Sequence, residues 1–324
     1  MRINKQFKIE SLRENPDLPE PSDELVSAGE DSPPAAEIRI DKYISDHAKI
    51  LTRSQLKARN AKVYINGKEV KLSKTVKIND TIDIEYDSSP EIDIKPEKID
   101  LDIIYEDENI AVINKPQGMV VHPAAGNPGG TLANAFLHYF GESDFEKDDD
   151  DIRPGIVHRL DKDTSGVIIT AKNSAAHEFL SHQFRKKKVH KKYLAVVKGK
   201  MQSQEGVIET NLARDRNNRK KFQVIVGKGK EALTRFRVLK EFEDSSLVSL
   251  EPETGRTHQL RVHMQHCGCP ILGDPLYSRK IAKYGEITMM LHAHILIIEI
   301  PVYGIKKFIA PLPERFKKFV RENS

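Results

Sequence analysis

From Ile99 to the C-terminus the chain is a succession of short apolar runs, and this pattern constrains the fold most. LDIIYED, NIAVINKP, GVIITAK, YLAVVKG, TRFRVLKEF, SLVSLEP and HILIIEI all read as strands. Helical spacing interrupts them near 131–140 and 174–187. The strands therefore do not alternate regularly with helices, so a doubly wound parallel sheet is excluded. The expectation is an α+β fold, with a large domain at 99–324 built on a mixed, mainly antiparallel sheet. A chain of 324 residues is long for one core and suggests about two domains. The acidic run GESDFEKDDDDIR at 141–153 reads as an exposed loop.

Residues 1–36 hold Pro16, Pro19, Pro21, Pro33 and Pro34 with four basic and eight acidic residues, a net −4. They are expected to form a disordered acidic tail. The whole chain carries +4, so the remainder carries +8, a moderately basic body suited to a polyanionic partner. Cys267 and Cys269 are too close in sequence for an easy disulfide, which suggests a reducing compartment. The start lacks a signal-peptide apolar stretch, and no window approaches 18 apolar residues. The expected location is the cytoplasm, without membrane association.

Between these regions, EIRIDKYISDHA places Ile40, Tyr43, Ile44 and Ala48 at helical spacing. LTRSQLKARNA offers Thr52 or Ser54 as the N-cap of a second, basic helix. Asn66-Gly67 between two strand-like runs signals a two-residue hairpin, and TVKINDTIDIEY alternates as strands do. This order over 37–86 resembles the RNA-binding module first known from ribosomal protein S-four. The resemblance implies an RNA-facing surface carrying Arg39, Lys42, Arg53, Lys57, Arg59 and Lys62. Ser88, Ser89, Pro90 and Pro96 mark 87–98 as a linker.

The most informative segment is PGIVHRLDKDTSGVIITAK, Pro154 to Lys172. A polar loop with Asp161, Asp163, Thr164, Ser165 and Gly166 leads into an apolar strand, the type of turn that presents a carboxylate. A D-x-D phosphatase nucleophile would need an apolar strand directly before it, and His158-Arg159-Leu160 breaks that. A calcium loop would need its Gly and distal Glu elsewhere. HRLDKDTSG is similar to the central motif of the RluA-type pseudouridine synthases. NKPQGMVVHP before it, and KKYLAVVKG, PETGRTHQLRVHM, LGDPLY, LHAHIL and APLP after it, stand in that family's order. The resemblance covers roughly 99–315.

That resemblance implies an isomerase that breaks the ribose–uracil N1 bond, turns the base and rejoins it through carbon 5, with no cofactor and no metal. It maps the essential aspartate to Asp161, whether as nucleophile or as base for a ribose proton. Either role needs an ionised carboxylate, which a neighbouring guanidinium favours; the family places Arg261 there. A uridine in folded RNA must be flipped out. By resemblance Arg159 fills the vacated space and Tyr193 stacks on the base, while His158 positions the loop or touches RNA. RKKKVHKKY at 185–193 and RDRNNRKK at 214–221, with Arg214 and Arg219, are candidate phosphate contacts.

His258, His263, His266, Cys267 and Cys269 crowd together but match no standard zinc spacing. Cys269-Pro270, Glu299-Ile300-Pro301 and Gly129-Gly130 depart from the family pattern in scaffold and loops. The expected partner is RNA, most simply large-subunit ribosomal RNA, and not DNA; the expected state is a monomer. The alternatives are a synthase acting on transfer RNA and a non-catalytic ribosome-assembly factor.

Overall fold

The structure, a computed structural model, describes residues 2–9, 38–48, 50–51, 53–87, 94–124, 126–141, 155–278, 284 and 287–324. The described residues fall into two compact units, one ending at residue 87 and one beginning at residue 94.

The N-terminal unit contains β1 (Arg2–Lys8), β2 (Ile38–Arg39), α1 (Ile40–Lys42) running into a π-helical turn at Tyr43–His47, α2 (Arg53–Ala58), β3 (Lys62–Ile65), β4 (Lys68–Val70), β5 (Thr75–Val76) and β6 (Thr81–Asp87). Its main sheet has the order β1-β6-β3-β4, antiparallel throughout. In β6 the alternation of TIDIEYD buries Ile82, Ile84 and Tyr86 against Ile40, Ile44 and Leu56. Asn66 and Gly67 both have positive φ, at 51° and 76°, as a tight hairpin with this dipeptide requires. Thr52, one of the two N-cap candidates, lies outside the described residues.

The expected disorder over 1–36 fails at its start. β1 pairs with β6 along its whole length, from Arg2↔Asp87 to Lys8↔Thr81, and Ile9 is fully buried. Ile3, Phe7 and Ile9 supply an apolar side, and β6 supplies an open edge of backbone donors and acceptors. The prolines that suggested disorder come later, within 10–37, outside the described residues. Arg59 also departs from expectation. It is 5% exposed with its guanidinium 5.9 Å from the Tyr86 ring centre, so it belongs to the core and not to an RNA-facing surface. Its position after α2 turns it inward, which charge alone does not reveal.

The larger unit contains β7 (Ile103–Glu106), β8 (Ile110–Lys115), α3 (Leu132–Phe140), β9 (Ser165–Ala171), α4 (Ser174–Arg185), β10 (His190–Lys198), β11 (Glu205–Arg214), β12 (Phe222–Ile225), β13 (Lys230–Glu241), β14 (Ser245–Pro252), α5 (Gln259–His266), β15 (Leu291–Ile300), β16 (Gly304–Ile309) and α6 (Glu314–Glu322). Among the described residues ten strands form one sheet in the order β12-β11-β13-β14-β10-β15-β9-β8-β7, with β16 on β15. Only β9 and β15 run parallel among these pairs, so the sheet is mixed and mainly antiparallel, as the strand runs predict.

One apolar core lies around β8, β9, α3 and α4; a second lies around β10, β14, α5 and α6. α3 and α4 occupy the two stretches read as helical. α5 and α6, of eight and nine residues, do not figure in that reading. The expected linker also ends earlier than residue 98. Ile94 is buried in the first core, Glu97 accepts the Gly130 N–H, and the Lys95 carbonyl accepts from Asn134. The acidic run from 142 to 153 lies outside the described residues.

Candidate active site

The chain enters the site from β8. Lys115, fully buried at the end of that strand, directs its Nζ to the carbonyls of Pro116 and Met119, each at 2.8 Å, and of Lys162 at 3.2 Å. Gly118 N–H also donates to the Lys162 carbonyl, and Gln117 donates to that of Asp163. NKPQGM therefore braces the loop that carries Asp161. Burial pulls the Lys115 ammonium down to about 8, against the charges of Asp163 and Asp161 that hold it up.

The loop turns tightly, with Thr164 N–H donating to the Asp161 carbonyl. It then joins the sheet at the β9–β15 pairing, where Gly166 lies opposite Ala293. Gly166 has φ +117°, and a Cβ there would stand 2.1 Å from the Ala293 carbonyl oxygen. Only glycine satisfies both constraints, which is why TSG follows the aspartate.

Asp161 is 19% exposed at its side chain. Arg261 Nη1 donates to its Oδ2 at 3.0 Å. Arg261 sits on α5, not on a strand, and is held from behind by Asp274, whose side chain is 0% exposed. Arg261 donates Nε to Asp274 Oδ2 at 2.7 Å and Nη2 to Oδ1 at 2.9 Å. Asp274 also accepts the backbone N–H groups of Leu276 and Tyr277. Burial opposes the guanidinium's charge, but the bonds and charges of Asp274, then of Asp161, outweigh it and push its pKa up.

His258 flanks the same carboxylate, with Nε2 3.9 Å from Asp161 Oδ2. Tyr277 Oη accepts the Phe222 N–H at 2.7 Å and bonds His258 Nδ1 at 2.9 Å. A Tyr277 O–H donating to Nδ1 would put the imidazole proton on Nε2, facing Asp161. His258 has φ +58°, an uncommon conformation for a non-glycine residue and a common one at functional sites.

These groups open on a cleft of about 440 Å³. Tyr193 of β10 lines it, and burial, then the Asp161 charge, pushes its phenol pKa up. Arg159 is exposed on the rim. His158 lines the cleft too, but its Nε2 accepts the Ile169 N–H at 3.0 Å and its ring stacks on Phe184 at 4.5 Å. Burial, then Lys191, pulls its pKa down to about 3. These contacts brace the loop from within the cleft wall.

Sequence reasoning thus names five residues that the structure gathers around one cleft: His158, Arg159, Asp161, Tyr193 and Arg261. It assigns no role to Lys115, His258, Asp274 or Tyr277. All four lie inside motifs quoted above, yet their partners are distant in sequence or depend on a turn, so spacing does not reveal them.

Arg214 and Arg219 sit on the β11–β12 turn. The Arg214 guanidinium lies 5.3 Å from the Phe222 ring centre and donates to the Arg219 carbonyl, and Phe222 meets the His258 ring edge-on. In the N-terminal unit Lys42, Arg53 and Lys57 are exposed, and Arg39 and Arg53 both pair with Asp41. Of the His/Cys cluster, His263 bonds the hydroxyls of Thr210 and Thr234, and Cys269 donates to the Lys200 carbonyl. No described helix is long and apolar enough to cross a membrane.

The RNA pseudouridylate synthase family profile matches residues 109–266, which span the braced loop, the cleft tyrosine and α5. The chain is 46% identical over 289 residues to the ribosomal large subunit pseudouridine synthase D of Borreliella burgdorferi, covering 87% of this chain and 89% of that one. It is 40% identical over 286 residues to the uncharacterized RNA pseudouridine synthase YlyB of Bacillus subtilis, covering 87% and 93%. The solved structure of human RNA pseudouridylate synthase domain containing 4 superposes with TM-score 0.54 at 29% identity, covering 68% of this chain and 91% of that one. The chain belongs to the RluA-type RNA pseudouridine synthases, and it is an isomerase.

Proposed function

We propose that this protein isomerises specific uridines of large-subunit ribosomal RNA, with Asp161 as the essential carboxylate. The observation that carries the reading is the Asp161 side chain, opening on the cleft while Arg261 holds one of its oxygens at 3.0 Å. Arg261 fixes the carboxylate's charge and direction; Asp274 fixes Arg261. The reaction exchanges a C1′–N1 bond for a C1′–C5 bond. C5 loses a proton and N1 regains one, so no redox partner or external group is consumed. Tyr193 offers a ring for the flipped base, worth roughly 1–3 kcal/mol by stacking. Arg159, on the cleft rim, occupies the space the base leaves.

The choice of ribosomal RNA is supported by relatives that carry the large-subunit name, at 46% identity in Borreliella burgdorferi and 42% in Xylella fastidiosa. The N-terminal unit, with Lys42, Arg53 and Lys57, supplies phosphate contacts and affinity; the Arg214–Arg219 turn adds more beside the cleft. Action on ribosomal RNA implies a cytoplasmic location. Mapping pseudouridines in ribosomal and transfer RNA from a deletion strain tests the target. Large-subunit sites should vanish and return with the wild-type gene; loss confined to transfer RNA would refute the ribosomal assignment.

A further inference from the structure

Lys191 lies on β10 two residues before Tyr193, across a register shift in the β10–β15 pairing. Both line the catalytic cleft. Lys191 is partly buried, and no hydrogen bond or ion pair joins its ammonium to any described residue. Its neighbours are not so placed: Lys192 pairs with Glu251 at 2.9 Å, and Arg235 pairs with Glu253 at 2.6 Å. Burial lowers the Lys191 pKa with no carboxylate to restore it. A partly desolvated cation without an anion is costly in a folded protein, and one that faces a cleft is a site for an anionic ligand.

The cavity's shape says which anion. The catalytic cleft adjoins a second groove of about 670 Å³, and Lys187, Val189, Lys191, Pro252, Glu253 and Thr254 line both, with Glu253 engaged by Arg235. A nucleotide whose base enters the cleft remains joined to its strand. Its backbone must leave through an opening, and Lys191 stands at this one.

We propose that Lys191 binds a backbone phosphate of the RNA strand next to the uridine held in the cleft, guiding that strand into the second groove. This rests on the RNA-synthase reading of the site. Lys191 is a binding residue here and takes no part in bond making.

The test compares the wild type with Lys191→Met and Lys191→Arg. The first measurement needs no RNA. Removing an unpaired, half-buried charge should raise the melting temperature of Lys191→Met, by about 2 °C or more. A lysine with a structural role would lower it. The second is binding of transcribed large-subunit ribosomal RNA at several salt concentrations. Lys191→Met should bind on the order of tenfold more weakly, and its log–log salt slope should flatten by about 0.7–0.9, one phosphate contact. Lys191→Arg should keep most of the affinity and slope. The single-turnover rate at saturating RNA should change much less than the affinity. Unchanged affinity and slope in Lys191→Met, or a lowered melting temperature, would overturn the proposal. If the wild type itself neither binds nor modifies this RNA, the ribosomal assignment fails instead, and the two failures are distinguished.

Discussion

Asp274 grips Arg261 with two of its guanidinium nitrogens, at 2.7 and 2.9 Å, and leaves the third for Asp161 at 3.0 Å. The orientation of the Asp161 carboxylate is thus set by a second, fully buried carboxylate 113 residues along the chain (274 − 161). The planar fork matters here, because an ammonium cannot hold two carboxylates in fixed directions. Arg261→Lys should therefore lose at least about tenfold in single-turnover rate while RNA affinity changes little. Arg261→Met should also destabilise the fold, by about 3–5 kcal/mol, because Asp274 is left buried and unpaired. Urea unfolding beside single-turnover kinetics checks both. A Lys variant at wild-type rate would show that the fork is not needed.

Lys115 satisfies three carbonyls with one ammonium, one of them on the loop that bears Asp161. Lys115→Met keeps the length and volume but orphans the Pro116 and Met119 carbonyls, at about 1–3 kcal/mol each where no water replaces the bond, and leaves the Lys162 carbonyl with the Gly118 N–H alone. The expected result is a less stable enzyme with a lower saturated rate, because the loop loosens. Hydrogen exchange should show the change concentrated at residues 161–164. Unaltered exchange there, with normal rate, would remove Lys115 from the account.

Three histidines are held neutral by burial: His158 near 3, His263 near 4 and His292 near 4. Their unfolded value is about 6.5. Below that value the unfolded chain binds protons that the folded chain refuses. Stability is therefore fully present above about pH 6.5 and is lost as pH falls towards 4, at roughly 1.4 kcal/mol per pH unit for each histidine in that window. Urea midpoints at pH 7, 6 and 5 should fall in that order, and the slope should lessen in His263→Gln. A midpoint that does not change between pH 7 and 5 would contradict the assignment.

Much of this was legible because the chemistry is local. Asn66-Gly67 specifies its hairpin by φ alone, the β8, β9 and β15 runs declare strands, and HRLDKDTSG packs loop, carboxylate and the obligatory Gly166 into nine residues. What was hidden depends on partners far away in sequence. Arg2–Lys8 becomes a strand only because the edge of β6 awaits it. Arg59 looks like a surface charge until the fold turns it onto Tyr86. His158 and Asp274 become readable once Ile169 and Arg261 are beside them.

The central claim is that Asp161 performs the chemistry. Asp161→Asn keeps the side chain's size and a hydrogen-bond acceptor for Arg261, but removes the charge and the basic or nucleophilic oxygen. Tritium release from 5-tritiated uridine in transcribed large-subunit ribosomal RNA, measured in single turnover with RNA binding followed in parallel, tests it most directly. The account predicts binding within about threefold of wild type, where an intact cleft keeps its phosphate contacts, and no detectable release. Release at more than about one per cent of the wild-type rate, a loss under about 3 kcal/mol of barrier, would contradict it.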